Sequence, residues 1–435
     1  MRRLVFIVRI QGVKRMNERE ESKTADSAIL LGIDFGNGDE EASLDELESL
    51  AQTAGIETYA KALQRRDKIE ASTYMGTGKL RQIKELCEGS GVNIAIVDDE
   101  LKGSQVREIE KILDMRVIDR TTLILDIFAS RAKSTEGRLQ VELAQYKYRL
   151  PRLRGFGDAL SRLGGGIGTR GPGETKLETD RRHIRRRIEH IEKQLAETSV
   201  RREMSRTNRK KNNVPTVALV GYTNAGKSSL MNRLCPNAEV YVQDQLFATL
   251  DPTIRRIEND DNADVLLVDT VGFIRKLPHD LIDAFKSTLE ESVSADLLLH
   301  VADIRDAQAQ EHCRVVQELL AELGAKDKPT FMVWNKCDGL DGSIYEKNAD
   351  SECTGVFYIS AEDGSGIDEL RRAVLSSVIR TRTRTLLIPY ADGAAVNQLH
   401  SSFKILSETY TDKGVELKVN IDAAAANRYA EYIKE

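Results

Sequence analysis

The sequence predicts an α/β chain of several domains, and three observations carry that reading. Short apolar runs alternate with helix-patterned segments over most of the length, the pattern of parallel sheets joined by helices. One glycine-bearing loop, residues 221–228, stands between an apolar run and the start of a helix. A highly charged segment with one narrow apolar stripe separates two such alternating regions. With 435 residues, the chain has room for about two to four domains.

Residues 26–135 are expected to form a small parallel α/β domain. Apolar runs at Ala28–Ile33, Asn93–Val97 and Thr122–Leu125 read as strands, and Leu44–Ala54, Leu80–Cys87 and Val106–Leu113 as helices. Met75–Leu80 has the look of a phosphate loop. It lacks glycine at position 73 and Ser or Thr at 80, so it reads as a helix-start turn. Residues 1–25 read as a poorly ordered leader, with Met16 an alternative start. Their apolar run, Leu4–Val8, is broken by Arg9 and is too short for a signal peptide or a membrane span.

Residues 136–212 differ in kind. Leu139–Leu150 is helix-compatible, and a second, charged helix is expected from about Glu174 to about Arg206. Ile184, Ile188, Ile191 and Leu195 give it one apolar stripe. A narrow stripe on a charged helix suggests a two-helix hairpin whose seam is its only core. The glycines at 155, 157, 164–166, 168, 171 and 173 would form its tip. Residues 147–211 carry 19 basic and 8 acidic side chains, a net of +11, in a chain whose total is −5. That asymmetry is the footprint of a polyanion such as a nucleic acid. The alternative is a solvated charged helix followed by a basic linker, Arg206–Lys211.

The five cysteines are scattered, with no C-x-x-C pair. Neither a zinc site nor a disulfide framework is indicated, and a reducing cytoplasm fits. No apolar run approaches 18 residues, so no membrane span is expected.

A nucleotide domain is expected over residues 213–381. Gly221, Tyr222, Thr223, Asn224, Ala225, Gly226, Lys227 and Ser228 fit G-x-x-x-x-G-K-[ST] between the apolar run Val217–Val220 and the helical segment Ser229–Leu234. Glycines let the backbone wrap phosphates, and the helix N-terminus faces the anion. Lys227 would reach the outer phosphates and the Ser228 hydroxyl would ligate Mg²⁺. The bland reading is a glycine turn before a helix.

Further motifs follow, three of them at the ends of apolar runs. Asp269, Thr270, Val271 and Gly272 come first. A carboxylate there can hold the Mg²⁺ shell, and a glycine N–H can turn to a γ-phosphate. Asn335, Lys336, Cys337 and Asp338 come next. Asp338 can accept N–H bonds from guanine N1 and N2, which adenine does not offer, and the Lys336 stem can lie along the base. Ser360, Ala361 and Glu362 form a small-residue turn whose backbone can reach the guanine carbonyl. Phe247, Ala248, Thr249, Leu250 and Asp251, running on to Thr253, form a loop suited to be the switch. Each motif alone is weak; the ordered set predicts GTP or GDP with Mg²⁺.

The order GYTNAGKS, FATLD, DTVG, NKCD, SAE resembles translational-type GTPases, and Gly164–Asp180 is similar to the signature of the HflX family of ribosome-associated GTPases. The likeness runs from about residue 26 to the end. It implies an N-terminal α/β domain, a long helical hairpin, a P-loop GTPase domain and a small α+β C-terminal domain. It also implies a factor that binds the large ribosomal subunit and its rRNA, with the glycine-rich tip approaching RNA, and that splits or rescues stalled ribosomes under stress; a monomer is expected. The catalytic set it implies is Lys227, Thr249, Gly272 and Asn224. The resemblance favours Thr249 over Thr253 as the second Mg²⁺ ligand, which spacing alone does not separate. Asn224 occupies the position that in similar GTPases can ligate K⁺, and its rival role is to brace the loop. Phe273 stands where many GTPases place a water-orienting glutamine. A phenyl ring cannot do that, so slow hydrolysis, stimulated by ribosomes, is expected. Rival readings are a GTP-switched binding factor in which hydrolysis only resets affinity, an RNA-remodelling NTPase, and an RNA-binding scaffold. Residues 382–435 read as a βαβ-like appendix, from Leu386–Ile388, Val396–Glu408 and Val415–Ile421.

Overall fold

The computed structural model describes residues 26–36, 38–153, 172–211, 214–236, 247, 253–257, 265–278, 291–340, 353–379, 381–403 and 405–434. The expected leader, the glycine-rich tip up to residue 171, and Ala248, Thr249, Leu250 and Asp251 lie outside the described residues. The chain divides into two compact units. The first runs through Ala196 and takes in Phe247 and residues 275–278, and the second holds the rest.

The first unit opens with β1 (Ser27–Asp34), α1 (Glu40–Thr53), β2 (Glu57–Arg65), α2 (Thr77–Cys87), β3 (Ile94–Val97), α3 (Gly103–Leu113) and β4 (Arg116–Asp119). Its strands are all parallel, in the order β2-β1-β3-β4. β1 and β3 are buried along nearly their whole length, as expected for a parallel sheet covered on both faces. Met75–Leu80 does start a helix: Gly76 is the N-cap of α2. Two strands escaped the sequence reading. β2 buries only Ala60 and Ala62, its other side chains being partly or fully exposed, and β4 has four residues.

One expectation is overturned. Thr122–Leu125 is not a strand but part of α4 (Arg120–Arg131). Asp119 caps that helix, its carboxylate accepting from Thr122 N–H at 3.0 Å. Leu123, Ile124, Leu125, Ile127 and Phe128 are all buried. A helix covered on several sides carries a continuous apolar run, which over a few residues has the pattern of a buried strand.

α5 (Thr135–Arg152) and α6 (Pro172–Lys211) form the helical middle region. Ile191 of the expected stripe is fully buried. Ion pairs join the helices: Arg187 to Glu142 at 2.8 Å and Lys147 to Glu192 at 2.9 Å.

The second unit contains β5 (Thr216–Gly221), α7 (Lys227–Leu234), β6 (Thr253–Ile257), β7 (Val265–Asp269), β8 (Leu297–Asp303), α8 (Ala309–Glu322), β9 (Thr330–Asn335), β10 (Gly355–Tyr358) and α9 (Ile367–Val378). Its sheet runs β10-β9-β8-β5-β7-β6, parallel except for β6. Leu219, Leu267, Leu299 and Val333 pack beneath Leu230 and Leu370 of the flanking helices. Trp334, the single tryptophan, is buried beside Met332 and Cys337.

The C-terminal part corrects the βαβ-like expectation. β11 (Thr381–Ile388), α10 (Gly393–Ser402), β12 (Ile405–Thr411), β13 (Gly414–Asp422) and α11 (Ala423–Arg428) make an α+β module. β13 lies between β11 and β12 and is antiparallel to both. β12 was missed because most of its side chains are exposed, so it lacks an apolar signal. Among the described residues, no helix is long and apolar enough to cross a membrane.

Candidate nucleotide-binding site

The predicted motifs of the second unit meet at the carboxyl edge of its parallel strands, where α/β sheets take their ligands. β5 ends at Gly221, and the loop Tyr222–Gly226 carries the chain to α7, which starts at Lys227. Gly226 has φ +91°, and a Cβ there would sit 2.1 Å from Asn335 Nδ2. Asn335 comes that close because it fastens two motifs together. Its Nδ2 donates to the Ala225 carbonyl at 2.9 Å, and its Oδ1 accepts from Ala361 N–H at 3.0 Å.

Lys227 is buried, with Nζ donating to the carbonyls of Gly221 at 3.1 Å and Tyr222 at 2.7 Å. Burial pulls its pKa from 10.5 down to about 8, with Asp269 pulling the other way. An ammonium held among dipoles gains most from an approaching phosphate. A Cβ at Gly272 would lie 3.0 Å from that Nζ and 2.9 Å from Thr223 Cγ2, so residue 272 must be glycine for its backbone to reach the loop. Thr270 Oγ1 donates to the Leu219 carbonyl at 2.6 Å. Thr223 N–H donates to the Phe273 carbonyl at 2.8 Å, and Phe273 N–H to the Gly221 carbonyl at 3.1 Å. The Phe273 ring itself is buried, so this residue pins the DTVG segment to the loop instead of facing a water. Val271 is buried beside it.

Ser228 Oγ donates to Asp269 Oδ2 at 2.7 Å, and Asp269 is fully buried at the end of β7. A hydroxyl and a carboxylate, both oxygen donors, fit a hard cation such as Mg²⁺. Thr253 begins β6 and pairs with Asp269 in the ladder. Phe247 packs edge-on against Phe128 within the first unit, ring centroids 4.5 Å apart.

At the base motif, Ser360 Oγ donates to Asp338 Oδ1 at 2.9 Å, and Arg305 pairs with Oδ2. The Ser360 hydroxyl, with Arg305 behind it, holds the Asp338 carboxyl below its ordinary range. Lys336 has φ +64° and its Nζ meets Asp303 Oδ2 at 2.7 Å. Cys337 is buried, which pushes its thiol up to about 11; it is a packing residue with a protonated sulfur. Arg233 of α7 donates to the Ala361 carbonyl at 2.8 Å and also binds the Glu362 carbonyl, fixing the Ser360–Glu362 turn to the helix that follows the phosphate loop.

Asn224 is exposed with φ +61°. It borders a cavity of about 90 Å³ shared with Tyr222, His300, Asp303, Asp306 and His312. Tyr222 stacks on His312 at 3.7 Å, and His312 Nδ1 lies 2.9 Å from Asp306. Sequence reading missed Arg233, Arg305, Asp303 and His312. Asp303 and Arg305 carried a usable signal, as charged residues at the carboxyl end of a buried parallel strand.

A phosphate loop braced to a guanine-type carboxylate motif, with Ser228, Asp269 and Gly272 between them, defines a P-loop GTPase. Three family profiles cover the chain in order: "GTP-binding GTPase N-terminal" over residues 41–129, "GTP-binding GTPase Middle Region" over 131–209, and "50S ribosome-binding GTPase" over 216–336. GTPase HflX of Caldanaerobacter subterraneus subsp. tengcongensis is 48% identical over 415 residues, 95% of each chain. GTPase HflX of Escherichia coli K12 is 43% identical, covering 91% of this chain and 93% of that one. The chain therefore belongs to the HflX GTPase family.

Proposed function

We propose that this GTPase works on the large ribosomal subunit in the cytoplasm, as a monomer, and separates or rescues stalled ribosomes under stress. The ribosomal part is supported by the family description of a 50S ribosome-binding GTPase and by the +11 charge of residues 147–211, which suits RNA phosphates.

One observation carries the nucleotide part: Lys227, Ser228, Asp269, Gly272 and Asp338 belong to segments tied together through Asn335, Thr270 and Phe273. In this reading Lys227 and Gly272 N–H hold the outer phosphates. Ser228 and Thr249 ligate Mg²⁺, with Asp269 in its outer shell. Asp338 reads guanine, flanked by Lys336 and the Ser360–Glu362 backbone. Bound Mg²⁺ would neutralise charge on the β- and γ-oxygens. The buried Phe273 ring supports slow hydrolysis until a partner supplies or orders a group. It equally favours a factor whose affinity is switched by GTP and reset by hydrolysis; a non-hydrolysable analogue that supports the full biological effect would establish that form.

Sedimentation with ribosomes and isolated subunits tests the proposal. Binding to large subunits is expected with a GTP analogue, weaker binding with GDP, and a steep loss with rising salt. Indifference to both nucleotide and subunit would end it. For Asn224 the reading is a K⁺ ligand that supplies positive charge beside the phosphates. Hydrolysis should then run several-fold faster in KCl than in NaCl at matched ionic strength; equal rates leave the loop-bracing role.

A further inference from the structure

Asp338 does not wait with its acceptors open. Ser360 Oγ–H donates to Oδ1 at 2.9 Å. Arg305 Nη2 binds Oδ2 and also donates to the Asp338 backbone carbonyl at 2.9 Å. The chemistry of this partner is the telling point. The N1–C2–N2 edge of guanine is itself a guanidine, with planar N–H donors on one carbon. The arginine head group offers a carboxylate the same planar set of donors. Arg305 therefore brings to Asp338 the kind of planar donor group that guanine would bring, here through Nη2 alone.

The placement is built. Asp303 Oδ1 accepts from Arg305 N–H at 3.0 Å, while Asp303 Oδ2 holds Lys336 Nζ at 2.7 Å. Ile304 N–H donates to the Asn335 carbonyl at 3.1 Å. The turn 303–305 is thus bolted to the base motif through the two residues that precede its arginine. The Arg305 side chain is 43% exposed, so it has a path into solvent when it lets go.

We propose that Arg305 is an internal stand-in for guanine: it closes Asp338 in a pair that the incoming base must displace, and so lowers affinity for guanine nucleotides and adds a displacement step to their association. The inference rests on Asp338 being the guanine acceptor. A ligand of a protein whose competent state is only partly populated binds with its affinity reduced by that fraction. An exposed arginine–carboxylate pair is weak, so the expected factor is modest.

The test is the binding of fluorescent GDP and XDP analogues to the full chain and to Arg305→Ala, Arg305→Lys, Asp338→Asn and the Arg305→Ala/Asp338→Asn double variant. Arg305→Ala should lower the Kd for GDP by about two- to fivefold, chiefly through faster association. Arg305→Lys keeps the charge but not the planar fork, and should fall between. Raising salt should tighten GDP binding in the wild type relative to Arg305→Ala, because salt screens the competing pair. Asp338→Asn should exchange preference from GDP to XDP, and in that background Arg305→Ala should change XDP binding little, a non-additivity that a merely structural role would not produce. An unchanged or raised Kd for GDP in Arg305→Ala, with the Asp338→Asn exchange intact, overturns the stand-in role and leaves the base reading standing. Loss of that exchange overturns the base reading itself, and this inference with it.

Discussion

Two sheets in this chain carry carboxylates at or just past the ends of their parallel strands, and the two sets are employed in opposite ways. In the first unit, Asp98 accepts from Ser43 Oγ at 2.6 Å, from Arg120 Nη1 at 2.8 Å and from Lys276 Nζ at 2.6 Å. Its neighbour Asp99 takes Lys276 at 2.8 Å and the Tyr74 hydroxyl at 2.5 Å. Asp119 accepts from Leu101 N–H, Thr122 N–H and Arg152, the last at 2.6 Å. These carboxylates are met by cations drawn from the protein, and Arg120 is itself 1% exposed. For Lys276, burial alone would lower its pKa, but Asp98 and Asp99 outweigh it and hold it above its ordinary value. In the second unit the strand-end carboxylates meet groups that a ligand can replace or join: the Ser228 hydroxyl at Asp269, and Ser360 and the half-exposed Arg305 at Asp338. The same architecture serves as a structural clamp in one place and, in the proposed reading, as a ligand site in the other; the partners decide, not the fold.

The contrast is broken most forcefully at Lys227. Lys227→Ala should cut single-turnover GTP hydrolysis by about 10²–10³-fold, the scale for removing one positioned donor from developing charge. The free protein should melt no lower, since a buried ammonium is removed. A clamp residue in the same position would instead cost stability.

The reverse holds at Asp98. Asp98→Asn leaves Arg120 and Lys276 short of charge and should destabilise the first unit by about 3–5 kcal/mol, read by urea unfolding. A loss below about 1 kcal/mol would mean that the cluster is not a clamp.

The smallest effect is a proton count. Lys227 has a pKa of about 8 in the folded chain against 10.5, so the unfolded chain binds more protons between those values. Stability of the free protein should rise with pH across that window. Phosphate should raise the lysine's pKa again. GDP binding above about pH 8 should then take up a proton, measurable by calorimetry in two buffers of different ionisation heat. Binding without proton uptake there would break the assignment.

What the sequence disclosed follows from how local each signal is. The loop 221–228, the DTVG segment and Asn335–Asp338 are contiguous, each beside a buried apolar strand, and so are legible one residue after another. The buried charge cluster is not: Glu46, Asp98, Arg120 and Lys276 are far apart in the chain, and each reads as an ordinary surface charge until the fold joins them. Thr122–Leu125 misled because its three consecutive buried apolar residues carry no period. β12 misled in the other direction, because an exposed strand carries almost no apolar signal. Arg305 stands at the end of a buried strand, which is a usable signal, but its partner Asp338 is 33 residues away and only the fold joins the two.

Trp334 gives the chain a built-in separation of signals. It is the only indole among 435 residues and is 3% exposed, next to Asn335. Tryptophan emission therefore follows the second unit alone, while far-ultraviolet circular dichroism follows the helices of both. Melting curves recorded by the two methods coincide if the units unfold together and part if they do not, with no label added and no residue changed.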